Sequence, residues 1–261
     1  MVTIDRLKGA LERRGPVSLA KRALAEAYAR TVRPFFPLRP AIYGGVPVAV
    51  YRHAGDSAVA RHLGPFAEVQ DNPRYEETLL TALRAHVRPG DTVTIVGGGA
   101  GVTAVVAARL VGPDGAVSCF EGGERQVEII RQTLLLNGVA DRVNLRHAII
   151  GPAIGIYGAP GEAEPIAAAQ MPSCDVLELD CEGSEVDILQ NLAFVPRTIL
   201  VETHGMYGAP SALCAQLLAA RGYRVTVLGL AEPEVADFCE GNDIRILVGE
   251  TVPSPVVSGT A

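Results

Sequence analysis

Residues 92–112 read TVTIVGGGAGVTAVVAARLVG, and this stretch decides the fold class. A β-branched run, TVTIV, meets a cluster of glycines and is followed by VTAVVAARLV, whose composition favours helix and which a glycine closes. Strand, tight turn and helix in that order begin a βαβ unit. The turn RPGD at 88–91 launches the unit.

The same alternation continues on both sides. Upstream, 73–87 is expected to be helical, with Leu79, Leu80 and Leu83 on one apolar face, and 41–52 reads as a short β region. Downstream, AVSCFE (116–121) reads as a strand, ERQVEIIRQTLLLNG (124–138) as a helix closed by Asn-Gly, and RVNLRHAII (142–150) as a strand. After a loose Gly/Pro/Ala stretch at 151–172 come strand 174–180, a short helix from Ser184, strand 197–204, helix 210–222 and strands 223–230 and 243–250. Apolar strands alternating with helices predict an α/β, doubly wound, mainly parallel sheet covered on both faces. The expected organisation is a basic helical arm and short β region over 1–72, a cofactor-binding domain over 73–250 and a frayed tail over 251–261.

Composition limits what such a domain does. At 261 residues, 48% hydrophobic and 20% charged, the chain can bury a full core. It shows no long uncharged apolar run and no signal-peptide pattern, so a cytoplasmic protein is expected. The five cysteines, Cys119, Cys174, Cys181, Cys214 and Cys239, form no Cys-x-x-Cys pair and read as reduced thiols. Net charge is −6, divided unevenly: residues 1–40 carry nine Lys/Arg against three Asp/Glu, and the remainder 14 against 26. An acidic body argues against nucleic-acid binding. In the basic arm, Leu7, Leu11, Leu24 and Tyr28 recur at helical spacing among Arg13, Arg14, Lys21, Arg22 and Arg30. One or two amphipathic helices are expected there, packed on the domain or touching an anionic membrane surface or glycolipid.

In an open α/β sheet, ligands bind beyond the carboxyl ends of the strands. The glycines of GGGAG let the backbone approach a ligand closely, and Glu121, ending the next strand, can accept both hydroxyls of a ribose. Together they indicate a nucleoside-containing cofactor. Gly99-x-Gly101-x-x-Ala104 satisfies a relaxed dinucleotide pattern, while Gly97-x-Gly99-x-Gly101 matches the looser pattern of S-adenosylmethionine enzymes. The segment LELDCEGSE at 177–185 places Asp180, Glu182 and Glu185 at another strand end, and Glu202 and His204 follow at the next. These could converge on one crevice. His204, whose imidazole titrates near neutrality, is the candidate general base, with Asp180 and Glu182 orienting a hydroxyl. Capping of a neighbouring backbone by His204 and of a helix start by Glu182 and Glu185 are the structural alternatives. A metal on Asp180, Glu182 and His204 is chemically feasible, but nothing in the spacing demands one, and none is expected.

The order VGGGAGVTA, FE (120–121), LNG (136–138), LELDCEGSEVDIL and ILVETHG resembles the FkbM-type methyltransferases, a branch of the class I S-adenosylmethionine-dependent methyltransferases. The likeness covers roughly residues 73–230. Asp180, Glu182, Gly183 and Glu185 match the family's Asp-x-Glu-Gly-x-Glu segment, and YEET at 75–78 resembles its approach to the cofactor strand. The resemblance implies a seven-stranded doubly wound sheet, with Gly97, Gly99, Gly101 and Glu121 around S-adenosylmethionine. It also implies methyl transfer to a hydroxyl of a sugar, glycolipid or secondary metabolite, with His204, Asp180, Glu182 and Glu202 at the reacting end. The chain departs from the family pattern at Ile95, Gly99 and Glu178, where Asp, Asn and Lys are usual. Two other readings remain from the residues: an NAD(P)-linked oxidoreductase built on the same glycine turn, and a noncatalytic binding protein on the same fold.

Overall fold

The computed structural model describes residues 16–252, apart from 57–58, 60–61 and 63–69. Leu7 and Leu11 of the expected N-terminal helix and most of the expected tail lie outside the described residues. The chain divides into two units, residues 1–42 with 50–72 and residues 43–49 with 73–261.

In the first unit, helix α1 (Pro16–Thr31) opens on a proline, whose missing N–H costs nothing at a helix start. It exposes Val17 and Leu24, one face of the amphipathic pattern, and buries Ala25. The Asp56 carboxylate is buried, paired with Arg33 at 3.1 Å and accepting the His53 N–H at 3.1 Å. Asp71 does the same near the surface, pairing with Arg52 at 2.7 Å and accepting the Ile42 N–H. Strands β1 (Leu38–Tyr43) and β2 (Val46–His53) form a two-stranded sheet joined by Gly44 and Gly45, both at positive φ, and its turn residues 43–49 count with the second unit.

The second unit is the expected α/β sheet. Helix α2 (Glu77–His86) leads through the RPGD turn into β3 (Thr92–Val96), and then α3 (Val102–Val111), β4 (Ala116–Glu121), α4 (Glu124–Leu136), β5 (Val143–Ile150) and β6 (Glu164–Ile166) follow. The chain continues through β7 (Val176–Leu179), α5 (Glu185–Asn191), β8 (Thr198–Glu202), α6 (Ser211–Ala220), β9 (Tyr223–Leu230), α7 (Ala236–Asn242) and β10 (Arg245–Thr251). Strand order is β6-β5-β4-β3-β7-β8-β10-β9. The first six run parallel, and β10 inserts antiparallel between β8 and β9.

The sheet therefore has eight strands, one more than the seven the resemblance implies. The extra strand, β6, is a three-residue edge piece drawn from the loose 151–172 stretch, and it contains Pro165. Proline lacks the N–H a central strand needs, so it is tolerated at a sheet edge and hides the strand from pattern reading. Helix α7 was likewise not expected, because Pro233 and Gly241 break its pattern.

Alternation along the strands sorts the core. Leu177, Leu179, Ile199 and Val201 face α5 and α6 and pack with Ile188, Leu189, Cys214 and Leu218. The intervening Glu178 and Leu200 turn to the opposite face, where α2 and α3 pack against each other. Helix α3 is buried on nearly every side, which explains its almost uniformly apolar composition. All five cysteines are free thiols. Among the described residues no helix is long and apolar enough to cross a membrane.

Candidate active site at the carboxyl ends of β3, β4, β7 and β8

The glycine bend after β3 is held from beneath. Gly97 sits at φ 97°, and a β-carbon there would lie 1.7 Å from the Asp180 carbonyl oxygen. Only glycine permits this approach of the β3 and β7 ends. Gly98 is lodged against Ile130 and Cys119, and Gly101 meets the Ile130 backbone at the start of α3. Of the three glycines expected at the cofactor, Gly97 and Gly101 are packed on the side where a β-carbon would stand. Gly99 is the one whose open side faces the Tyr75 hydroxyl, 3.3 Å from a β-carbon position.

Glu121 ends β4 beside this bend. Its Oε2 accepts the Gly98 and Gly99 N–H groups at 2.9 and 3.2 Å, and its Oε1 accepts the Gly123 N–H at 2.7 Å. The carboxylate thereby fixes the bend, a role its sequence position did not disclose. It also places negative charge on the amides that a pyrophosphate would need. His147, opposite Glu121 in register, has its Nε2 3.3 Å from the Gly122 carbonyl.

On the other side of β3, the acidic strand ends converge as expected. His204 is 6% exposed. Its Nδ1 lies 2.8 Å from Glu185 Oε1, and its Nε2 faces Asp180 Oδ1 at 3.6 Å and Glu202 Oε1 at 3.8 Å. Glu185, fully buried, also accepts the Cys181 and Gly183 N–H groups at 3.2 and 2.8 Å. An acceptor so engaged calls for a proton on Nδ1, leaving Nε2 free to act. His204 does not cap the neighbouring backbone with its side chain, and Glu185 holds the imidazole as well as closing the turn at 181–184. Glu182 is displayed at that turn in the left-handed region, φ 51°.

Electrostatics follow from this crowding. Burial pushes the Asp180 carboxyl up to about 6, with His204 opposing and Glu185 adding to the rise. Burial and then Asp180 push Glu182 up to about 7, and the same two causes push Glu76 up to about 8. Burial, then Asp180 and Glu76, hold Glu202 well above the carboxylate range. Burial disfavours charge on His204, but the Glu185 hydrogen bond and Asp180 outweigh it and raise its pKa. Glu178 is 0% exposed, neither of its oxygens has a hydrogen-bond partner among the described residues, and burial, then Asp180 and Glu76, raise its pKa well above the carboxylate range. Among the described residues, Asp180 and Glu202 form ion pairs only with His204.

A set of carboxyls this dense is chemically suited to a cation. Asp180, Glu202 and His204 present one ligand atom each, all within 4.8 Å of one another, so they could hold a divalent ion. A sulfonium and an ammonium would be favoured by the same field. Tyr75, Glu76 and Glu232 join the cluster, and of these only the YEET stretch had been marked in the sequence. Ile154 and Tyr207 border the acidic turn, each 2.9 Å from a β-carbon position on Gly183.

The likeness to known proteins is weak. No protein-family model matches the chain, and no curated protein matches it in sequence. A SAM-dependent O-methyltransferase from Thermotoga maritima matches at a TM-score of 0.47 and 17% identity, over 70% of this chain and 66% of that one. A precorrin-6Y C5,15-methyltransferase from Geobacter metallireducens matches at 0.46 and 16%, over 71% and 91%. An O-methyltransferase from Bacillus cereus in complex with SAH matches at 0.43 and 15%, over 76% and 97%.

Proposed function

We propose that the protein is an S-adenosylmethionine-dependent methyltransferase acting on a hydroxyl oxygen, with a sugar, glycolipid or secondary metabolite as acceptor. The observation that carries this is the pairing of a glycine bend with a buried carboxyl cluster whose described base is His204. S-adenosylmethionine brings a ribose diol and two cationic centres to such a crevice. A nicotinamide dinucleotide brings a pyrophosphate, and here Glu121 already occupies the Gly98 and Gly99 amides.

The donor supplies a methyl group already activated on a sulfonium, so the protein's task is alignment and removal of one proton. The acceptor hydroxyl donates its one proton toward His204 Nε2, and Asp180 and Glu202, 3.6 and 3.8 Å from that nitrogen, border the place of its oxygen. As the oxygen–carbon bond forms and the carbon–sulfur bond breaks, the hydroxyl proton passes to His204 Nε2. The imidazolium that results is stabilised by Glu185 at Nδ1 and by Asp180 beside Nε2. Glu182, at the rim, contacts the acceptor. Ile154 and Tyr207 offer it an apolar border. The exposed Lys21, Arg22 and Arg30 of α1 would attract an anionic membrane surface.

A second reading has a specific observation behind it. A divalent ion on Asp180, Glu202 and His204 would polarise the hydroxyl in place of the imidazole. Calorimetric titration of the full chain with S-adenosylmethionine, with NADH as control, tests the first reading. Saturable binding of the methyl donor alone is expected, and binding of NADH alone would refute it. Methyl transfer that survives exhaustive chelation favours the imidazole, and loss restored by a divalent ion favours the metal.

A further inference from the structure

Glu76 is placed at a cost that helix formation does not explain. It adopts φ 46° and ψ 37° immediately before α2, and its side chain makes no capping hydrogen bond. A side chain larger than glycine in this left-handed region costs on the order of 1 kcal/mol or more. Among the described residues only Glu76, Glu182 and Asp243 do this, and the first two belong to the carboxyl cluster. The turn aims Glu76 at the glycine bend: a β-carbon built on Gly99 would lie 4.0 Å from Glu76 Oε1. Tyr75 stacks on Tyr43 with centroids 4.9 Å apart, and its phenol opposes the rise of the Glu76 pKa. The Thr78 hydroxyl, donating to the Leu230 carbonyl at 2.9 Å, anchors the first turn of α2 to the end of β9.

Strand order separates the two acidic sides of the bend. Glu121 lies on β4, one neighbour of β3, while Asp180 follows β7, the other neighbour, and interacts electrostatically with Glu76. A methyl donor lying across the bend must put its ribose diol on one side and its amino-acid end on the other. A diol needs only acceptors, which Glu121 supplies with the lone pairs its backbone contacts leave free. An ammonium needs several acceptors and negative charge, which the β7 side supplies.

We propose that Glu76 is the ammonium-binding carboxylate of this crevice: together with Asp180 it receives the α-amino group of S-adenosylmethionine, and the left-handed turn before α2 exists to present it. The proposal rests on the methyl-donor reading above. Tyr75, stacked on Tyr43 with its hydroxyl beside Gly99, is then a positioning residue for the turn that carries Glu76.

The test is calorimetric titration of full-length wild type and Glu76→Gln with three probes. S-adenosylmethionine carries sulfonium and ammonium, S-adenosylhomocysteine only the ammonium, and methylthioadenosine neither. Glu76→Gln is expected to weaken the first two by about 10–100-fold, as for a lost charge-assisted hydrogen bond, and to leave methylthioadenosine within about twofold. Unchanged binding of all three overturns the proposal. A loss confined to S-adenosylmethionine overturns it in favour of a sulfonium contact, and an equal loss of all three in favour of a structural role. Glycine accepts the left-handed conformation, so Glu76→Gly should lose the same two ligands with no fall in Tm, and it serves if the glutamine variant does not fold. A wild type that binds none of the probes refutes the methyl-donor reading along with this one, whereas normal wild-type binding with an unaltered Glu76→Gln refutes this one alone.

Discussion

The two ends of the same sheet are built on opposite electrostatic plans. At the amino ends of the strands, charges are matched. Arg197 before β8 makes a two-pronged contact with Asp91 before β3, at 3.0 and 2.6 Å, and donates to the His86 carbonyl at 3.1 Å. Asp175 before β7 accepts both the N–H and the hydroxyl of Thr92 at 2.8 Å, and those hydrogen bonds lower its pKa. Arg221 closes the carbonyls of Leu189, Leu192 and Phe194. At the carboxyl ends, Asp180, Glu182, Glu202, Glu76 and Glu178 crowd together and their pKa values rise. One end is satisfied by the chain itself, and the other is left to be satisfied by something the chain binds. Such a difference is what separates a stabilising contact from a site.

The contrast can be broken most directly with His204→Ala. Loss of the proton acceptor should reduce methyl transfer per folded molecule by about 10²–10⁴-fold, well beyond the fall of a few degrees in Tm, about 1–2 kcal/mol, expected from leaving buried Glu185 without its imidazole partner. A large fall in Tm with activity per folded molecule intact would make His204 a packing residue, and the carboxyl end would then resemble the amino end.

Arg197→Ala is the counterpart at the amino end. It leaves Asp91 buried without its partner, which should cost about 2–3 kcal/mol. In a chain of this size that lowers Tm by about 5–10 °C, with S-adenosylmethionine affinity unchanged. A matching loss of affinity would show that the two ends are coupled through β3 and β8.

The smallest effect concerns pH. The folded-state pKa values of Asp180, Glu182 and Glu76 (about 6, 7 and 8) lie above those of free carboxyls, so the folded chain holds protons that the unfolded chain releases. The resulting stability is fully present below pH of about 4 and is lost as pH rises through 6 to 8. Tm of the protein alone should therefore be lower at pH 8.5 than at pH 5.5, while affinity for the cationic donor rises from pH 5.5 to about 7 as Asp180 and Glu182 ionise, below the loss of the donor's own α-amino proton at about 8. Glu178→Met removes one buried acid, with Asp180 and Glu76 beside it, and should raise Tm at the higher pH by about 2–4 °C, corresponding to about 1 kcal/mol. A Tm independent of pH would show that the cluster is compensated by partners within the chain.

Much of this end-to-end layout was legible in the sequence. Strands 92–96 and 116–121 stand where the β-branched runs predicted them, because buried parallel strands must be apolar on both faces, and the half-exposed edge strand 223–230 stands at its β-branched run as well. Asp180, Glu202 and His204 could be placed at strand ends by counting, and the structure brings them together. Other assignments depended on contacts that no local pattern encodes. Glu185 read as a helix-start acid, yet it holds His204 across 19 positions of chain. Gly97 and Gly101 read as cofactor glycines, yet their missing β-carbons admit Asp180 and Ile130. Strand β6 was hidden by Pro165, and the aim of Glu76 by a backbone conformation that glutamate rarely adopts.

By itself, then, the sequence determined the class of fold, the direction of the strands and the acidic character of their carboxyl ends, because periodicity and composition act locally along the chain. The tertiary structure alone decided which carboxyls share one space, which nitrogen of His204 faces them and which side of the glycine bend each acid occupies. Those depend on strand order and on distances between residues remote in the chain, and burial converts those distances into proton affinity.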